Sequence, residues 1–256
     1  MDTPPKLRLY VEASLADGAT LPLASEQAHY LMNVMRAAAG TEVAVFNGRD
    51  GEWRARVEPV GKRAVTLAVT APLRPQAIEP DLWLLFAPVK RARIDIIVEK
   101  ATELGVSALL PVWTQRTVMS RVNEDRLLSI AIEAAEQCER LTVPELRPAR
   151  ALDAVLADWP DGRPLIVLDE GGGGRPISEA LGELPAGPAA VLAGPEGGFA
   201  KSELDALRAL SFAVPVGLGP RILRADTAVL AALACCQAIR GDWRERPAVR
   251  PSSPSN

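Results

Sequence analysis

Two arginines and an aspartate lie among apolar residues in "LGPRILRADT", residues 218–227. Charges in such a setting must pair or face a ligand, because burying them alone is costly. Leu218 and Gly219 end an apolar run and Pro220 blocks its continuation. The alanine-rich stretch from Ala225 predicts a helix to about residue 240, stopped by Gly241. Asp226 falls in the first turn of that helix, where a carboxylate caps the end or meets the helix dipole. Arg221 and Arg224 stand three apart, on similar sides of a helical turn. They are either two surface arginines, or one pairs with a carboxylate while the other faces an anionic substrate.

A second segment, "AGPEGGF", follows an apolar run and precedes a helix predicted from Ser202 to Leu210, with Ser202 as its cap. Gly194, Gly197 and Gly198 let backbone N–H groups approach a ligand closely. The spacing is neither G-x-G-x-x-G nor a P-loop, so dinucleotide and triphosphate readings are weak. A tight strand-to-helix turn and a binding loop both remain open. Basic residues cluster twice more: Arg49, Arg54, Arg56, Lys62 and Arg63 in one stretch, Lys90, Arg91 and Arg93 in another. Each cluster alone reads as a solvated face. With one histidine, His29, and Cys138, Cys235 and Cys236 at no ligand spacing, no metal site is expected.

The chain has 256 residues, 48% of them hydrophobic and 24% charged, as in soluble globular proteins. Its net charge of −3 excludes a protein that coats nucleic acid through bulk positive charge, but not one with a local basic face. With no signal-peptide pattern and no apolar run long enough to span a bilayer, a soluble cytoplasmic protein is expected.

The elements that must position these residues fall into two parts. Residues 1–73 read as a small β-barrel-like unit, with "EVAVFNG", "GEWRARVEPV" and "AVTLAVT" as strands. "EQAHYLMNVMRAAAG" is its one helix, with Leu31, Val34 and Met35 on one face. "APLRPQAIEP" reads as a linker, so a boundary is placed between 71 and 80. Residues 74–243 alternate strands and helices: "LWLLFAPV", "RIDIIVEKATELG", "VSALLPVW", "NEDRLLSIAIEAAEQCER", "PLIVLD", "PAAVLAG" and "AVPVGL". Alternation of this kind predicts an α/β domain with a mostly parallel sheet, whose ligand sites lie at the carboxyl ends of the strands. Residues 244–256 are Pro- and Ser-rich and are expected to be disordered.

"AGPEGGFAKSEL" followed about twenty residues later by "LGPRILRADTA" resembles the paired signature of the RsmE family, ribosomal RNA uridine-N3 methyltransferases of the SPOUT superfamily. "KRARIDIIVEKATELGVSALLPVWTQRTV" and "EAAEQCERLTVPEL" resemble two further blocks of that family. "HYLMNVMRAAAGTEVAVFNGRDGEW" resembles its PUA-like RNA-binding domain. The matches occur in order over almost the whole chain. Asp226 stands where the family pattern has Glu, and Gln115 where Glu is common.

The resemblance implies a trefoil knot in the C-terminal domain, a homodimer, and S-adenosylmethionine as cofactor. It places the cofactor against Leu168, Gly194, Pro195, Glu196, Gly197, Leu218, Gly219, Ile222, Leu223 and Thr227. The implied reaction is methylation of uridine N3 in 16S ribosomal RNA, with Arg224 steadying the developing anion and Asp226 orienting it or taking the proton. A structural Arg224–Asp226 ion pair is the competing reading. Arg36, Arg49, Trp53, Arg54, Arg56, Arg91 and Arg116 become candidate RNA contacts, Trp53 by stacking. The alternatives are a SPOUT enzyme acting on transfer RNA or a ribose hydroxyl, and a non-catalytic RNA-binding factor.

Overall fold

The computed structural model describes residues 4–60 and 64–245, so Lys62, Arg63 and the expected tail from 246 onwards lie outside the described residues. The described residues divide into two units: one up to residue 78 together with 135–142, the other 79–134 and from 143 onwards.

The first unit is a five-stranded sheet of β1 (Leu7–Tyr10), β2 (Thr20–Pro22), β3 (Glu42–Phe46), β4 (Glu52–Val60) and β5 (Ala64–Arg74), in the order β1-β3-β4-β5-β2. β1 runs parallel to β3, with Leu7 opposite Val43; the other pairs are antiparallel. Alternation along the strands sends Val43, Val45, Ala55, Val57, Leu67 and Val69 into one core with Leu9, Leu21 and Leu31. The β3–β4 turn is held by Asn47, whose Oδ1 accepts the N–H of Arg49 and Asp50 at 3.0 and 2.9 Å.

Two sequence expectations change here. The helix at 26–40 is instead α1 (Ser25–His29) followed by a π turn, Tyr30–Val34, closed by the Met35 N–H on the Tyr30 carbonyl at 2.9 Å. The wider turn shifts the face. Leu31 stays buried while Val34 and Met35 are 58% and 37% exposed. The linker also starts later than its prolines suggest, because β5 runs to Arg74. The β2 pairing stops at Ala68, so Pro72 sits where β5 has β4 alone as a neighbour and its missing N–H breaks no second ladder.

On the other face of β4, Glu52 lies buried between two arginines, 2.7 Å from Nε of Arg8 and 2.7 Å from Nε of Arg74. Arg8 also donates to the carbonyls of Ala135, Glu136 and Arg140 at 2.9, 2.9 and 2.8 Å. Those bonds hold residues 135–142 in the first unit, although residues 135–137 are the last turn of a helix, Glu124–Gln137, that begins in the second.

The second unit is a parallel sheet flanked by helices. Its strands are β6 (Leu82–Phe86), β7 (Ala108–Trp113), β8 (Glu145–Leu146), β9 (Arg150–Ala151), β10 (Leu165–Leu168), β11 (Arg175–Pro176), β12 (Ala189–Ala193) and β13 (Ala213–Gly217). The order is β11-β13-β10-β12-β6-β7-β8, with β9 on β7, and every pairing is parallel. The helices are α2 (Arg91–Glu103), α3 (Glu124–Gln137), α4 (Leu152–Ala157), α5 (Ile177–Glu183), α6 (Lys201–Arg208) and α7 (Ala225–Ile239). Continuous apolar strands are required because both faces are covered. Leu84, Phe86, Ile166 and Val191 meet α2 and α7 on one face, whereas Leu85, Val167 and Leu192 pack on the other with α4 and α6.

Val229, Ala232, Leu233 and Cys236 of α7 are buried in the same core as Ile97, Val98 and Ala101 of α2. Fully burying each Val or Leu contributes roughly 1.5–3 kcal/mol. Gln237 donates to the Leu104 carbonyl at 2.6 Å, and Gly105 leaves room for it: a Cβ there would lie 2.7 Å from Gln237 Nε2. The short helices α4 and α5 escaped the sequence reading, since each is under eight residues and interrupted by turn-forming residues. Ser202 is not the cap of α6. The helix begins at Lys201, and Glu203 accepts the Ala200 N–H at 3.0 Å and the Gln115 N–H at 2.7 Å.

Candidate active site

β13, β10 and β12 are adjacent, and each ends on the same side of the sheet in a loop. Residues 169–174, 194–199 and 218–224 form these loops, and together they border a cleft of about 630 Å³. Its floor is Leu168, Ala193 and Val216 at the strand ends. The position follows from the topology: strands with parallel neighbours diverge in their connections here and leave a crevice.

Close backbone packing shapes the walls. A Cβ on Gly194 would lie 3.1 Å from the ring of buried Phe199, and a Cβ on Gly174 would lie 2.7 Å from Val216 N. Gly198 takes φ +64°, its N–H donates to the Pro195 carbonyl at 2.9 Å, and a Cβ on it would collide with the Glu170 carboxylate. Asp169, fully buried, accepts from Arg208 at 2.6 Å and from the Gly171 N–H at 2.8 Å, pinning the four-glycine loop.

Of the sequence-derived cofactor residues, Leu168, Gly194, Pro195, Glu196, Leu218, Gly219, Ile222 and Leu223 line the cleft. Gly197 and Thr227 are not among its lining residues; the Gly197 carbonyl instead accepts from Arg116 at 2.9 Å. Arg224 lines the cleft and stands at the N-cap position of α7. Asp226 does not line it. Its Oδ1 accepts the Thr227 N–H at 3.0 Å, and no Arg224–Asp226 ion pair is present among the described residues.

Three charged residues of the cleft were given no role from the sequence. Asp169 and Glu170 directly follow the "PLIVL" strand, so the carboxyl-end rule pointed to them. Arg93 comes from α2 and belonged to a charge cluster indistinguishable from a solvated face.

The candidate RNA contacts are not equivalent. In the first unit, Arg36, Arg49 and Arg56 are exposed, Arg36 with φ +54°. Arg54 is buried at 8% exposure and pairs with Glu42 of β3, a carboxylate that also accepts from the exposed Arg56 at 3.3 Å. Trp53 is partly buried against the core and donates its indole N–H to the Asp50 carbonyl at 2.8 Å. In the second unit, Arg116 is exposed beside the 194–199 loop, and Arg91 opens α2 with its side chain outside the described residues.

Burial pushes the Cys236 thiol up to about 12 and Cys235 above its usual value, so neither is a ready nucleophile. Among the described residues no cluster of His, Cys, Asp or Glu has the makings of a metal site, and no helix is long and apolar enough to cross a membrane.

A parallel sheet with a glycine-lined cleft at its strand ends, joined to a small β unit, defines a class: residues 77–237 match the RNA methyltransferase domain and residues 23–70 the RNA methyltransferase PUA domain. The chain is 30% identical to ribosomal RNA small subunit methyltransferase E of Rickettsia conorii, over 89% of this chain and 93% of that one. It is 32% identical to the Synechocystis protein of the same name, over 91% and 77%. The chain belongs to the ribosomal RNA small subunit methyltransferase E family. Its fold is similar to the Neisseria gonorrhoeae member bound to S-adenosyl methionine, with a TM-score of 0.81 and 28% identity over 94% of this chain and 100% of that chain. A Legionella pneumophila methyltransferase structure with bound cofactor gives 0.83 and 29% over 94% and 100%.

Proposed function

We propose that the protein transfers a methyl group from S-adenosylmethionine to N3 of a uridine in 16S ribosomal RNA of the small subunit. The observation that carries this reading is the cleft at the ends of β10, β12 and β13, bounded by the two loops whose sequences carry the family resemblance. Its volume suits a small cofactor, since ligand clefts run from roughly 300 to 1,000 Å³. Leu168, Val216, Leu218 and Leu223 offer apolar walls, while Gly194 and Gly219 let backbone polar groups reach an adenine edge. S-adenosylmethionine, when bound, supplies the electrophilic methyl on a good leaving group.

The chain's own residues then position the base and manage its proton. Arg224, on the cleft rim, is the cation for the uracil carbonyls as N3 loses its proton. Glu170 and Glu196 line the cleft and are the carboxylates with access to that proton. Asp226, directed to its own helix turn, orders the start of α7 behind Arg224.

Three further features belong to this reading. The strand order β13-β10-β12-β6-β7, with α7 packed back on α2, supports a trefoil-knotted chain. Ile222, 89% exposed on the cleft loop, supports burial against a second copy in a homodimer. A cytoplasmic location follows from a ribosomal RNA substrate, and the exposed Arg36, Arg49 and Arg56 supply backbone contacts to it.

The test is incubation of the protein with methyl-labelled S-adenosylmethionine and ribosomal subunits, followed by nucleoside identification. N3-methyluridine in small-subunit RNA is the expected product. Label in ribose or transfer RNA refutes the assignment, and no label at saturating cofactor favours a binding factor.

A further inference from the structure

Arg93 stands on the first turn of α2, half-buried, and lines the same cleft as Arg221 and Arg224. Among the described residues none of the three has an ion-pair partner. The nearest acid in sequence, Asp95, accepts from Nε and Nη2 of Arg126 at 3.1 and 2.6 Å. Asp169 is taken by Arg208 at 2.6 Å. Of the remaining cleft acids, Glu196 accepts only a backbone N–H, from Lys90 at 3.4 Å, and Glu170 has no partner among the described residues. Arg93, half-buried, and the exposed Arg221 and Arg224 thus border the cleft without a carboxylate partner, beside the exposed Glu170 and Glu196.

S-adenosylmethionine cannot restore the balance. Its sulfonium and ammonium outweigh its one carboxylate, so bound cofactor adds positive charge. The uracil ring is neutral before it loses its proton. The phosphate backbone that accompanies the base carries the opposite charge, and a guanidinium fork matches two phosphate oxygens.

We infer that Arg93, together with Arg221, grips a phosphodiester flanking the methylated nucleotide, making Arg93 a binding residue for RNA and not for cofactor. The inference rests on reading the cleft as the methyl-transfer site.

Salt-dependent binding tests it. The full chain is titrated with a small-subunit RNA fragment between about 50 and 200 mM salt, and cofactor affinity is measured separately. R93A is expected to lower RNA affinity about tenfold at low salt and to reduce the slope of log K against log salt by about one. Its cofactor affinity stays within about twofold of wild type. R93K retains the slope and recovers part of the affinity. R150A, which removes an arginine paired with Asp158 at 2.7 Å outside the cleft, leaves both quantities unchanged.

An unchanged slope in R93A overturns the inference. So does a parallel loss of cofactor affinity, which would assign Arg93 to the cofactor carboxylate. If the wild type labels no ribosomal RNA while R93A still loses slope, the methyl-transfer reading fails and the phosphate grip stands. A wild type that binds no RNA overturns both.

Discussion

Arg208 of α6 reaches beneath the 169–174 loop and donates to the fully buried carboxylate of Asp169 at 2.6 Å. The same carboxylate accepts the Gly171 N–H at 2.8 Å, so one ion pair at the carboxyl end of β10 holds the most glycine-rich wall of the cleft. Arg208→Ala leaves a buried carboxylate without its cation. Its expected effects are a loss of about 1–3 kcal/mol in urea unfolding and weaker S-adenosylmethionine binding by calorimetry. Unchanged cofactor affinity would show that the loop does not depend on the pair.

Backbone closeness gives a second prediction. Gly198→Ala places a methyl against Glu170 in a left-handed backbone, and Gly174→Ala places one against the β13 backbone. Each should weaken cofactor binding at least tenfold and cost about 1–3 kcal/mol. Gly182, on α5 with open space around it, is the control: Gly182→Ala should stabilise by about 0.4–1 kcal/mol.

Arg224 and Asp226 should separate in kinetics. Arg224→Ala is expected to lower kcat by about 10²–10³ with cofactor affinity within a few fold. Asp226→Ala should keep kcat within about tenfold and lower stability by about 0.3–1 kcal/mol through its place in the first turn of α7. Glu170→Gln and Glu196→Gln identify the proton acceptor by which one lowers kcat while cofactor affinity holds.

Acid should unfold the first unit through Glu52. Burial pushes its pKa up, but the hydrogen bonds and charges of Arg74 and Arg8 outweigh that and hold it below its ordinary 4.5. A depressed folded value means the stabilisation is complete above pH 4.5 and is lost as pH falls through the folded value. Asp50 adds in the same direction, held down by the Leu15 N–H and Asn47. The stability gap between wild type and Glu52→Gln should therefore narrow below about pH 4.5 in urea titrations followed at pH 3 to 7.

What the amino-acid order alone determined is periodic or local. Doubly covered strands need unbroken apolar runs, so "LWLLF", "LIVL" and "AAVLA" announced a parallel sheet. Glycines at strand ends announced the cleft loops, and the paired segments around Glu196 and Arg224 carried the family resemblance. Tertiary structure decided everything that depends on a partner distant in sequence. Arg54 looked like Arg56, yet one is buried and the other exposed although both reach Glu42 across the ladder. Arg93 looked like part of a solvated cluster, yet α2 packs so that it lines a cleft built from segments more than seventy residues away. Asp226 in "LGPRILRADT" fitted a cap and a catalytic role equally; the fold adds its contact with the Thr227 N–H, and the kinetics of Asp226→Ala are what separate the two. Charge alone does not say which way a side chain points, because direction is set by packing against residues the local sequence does not contain.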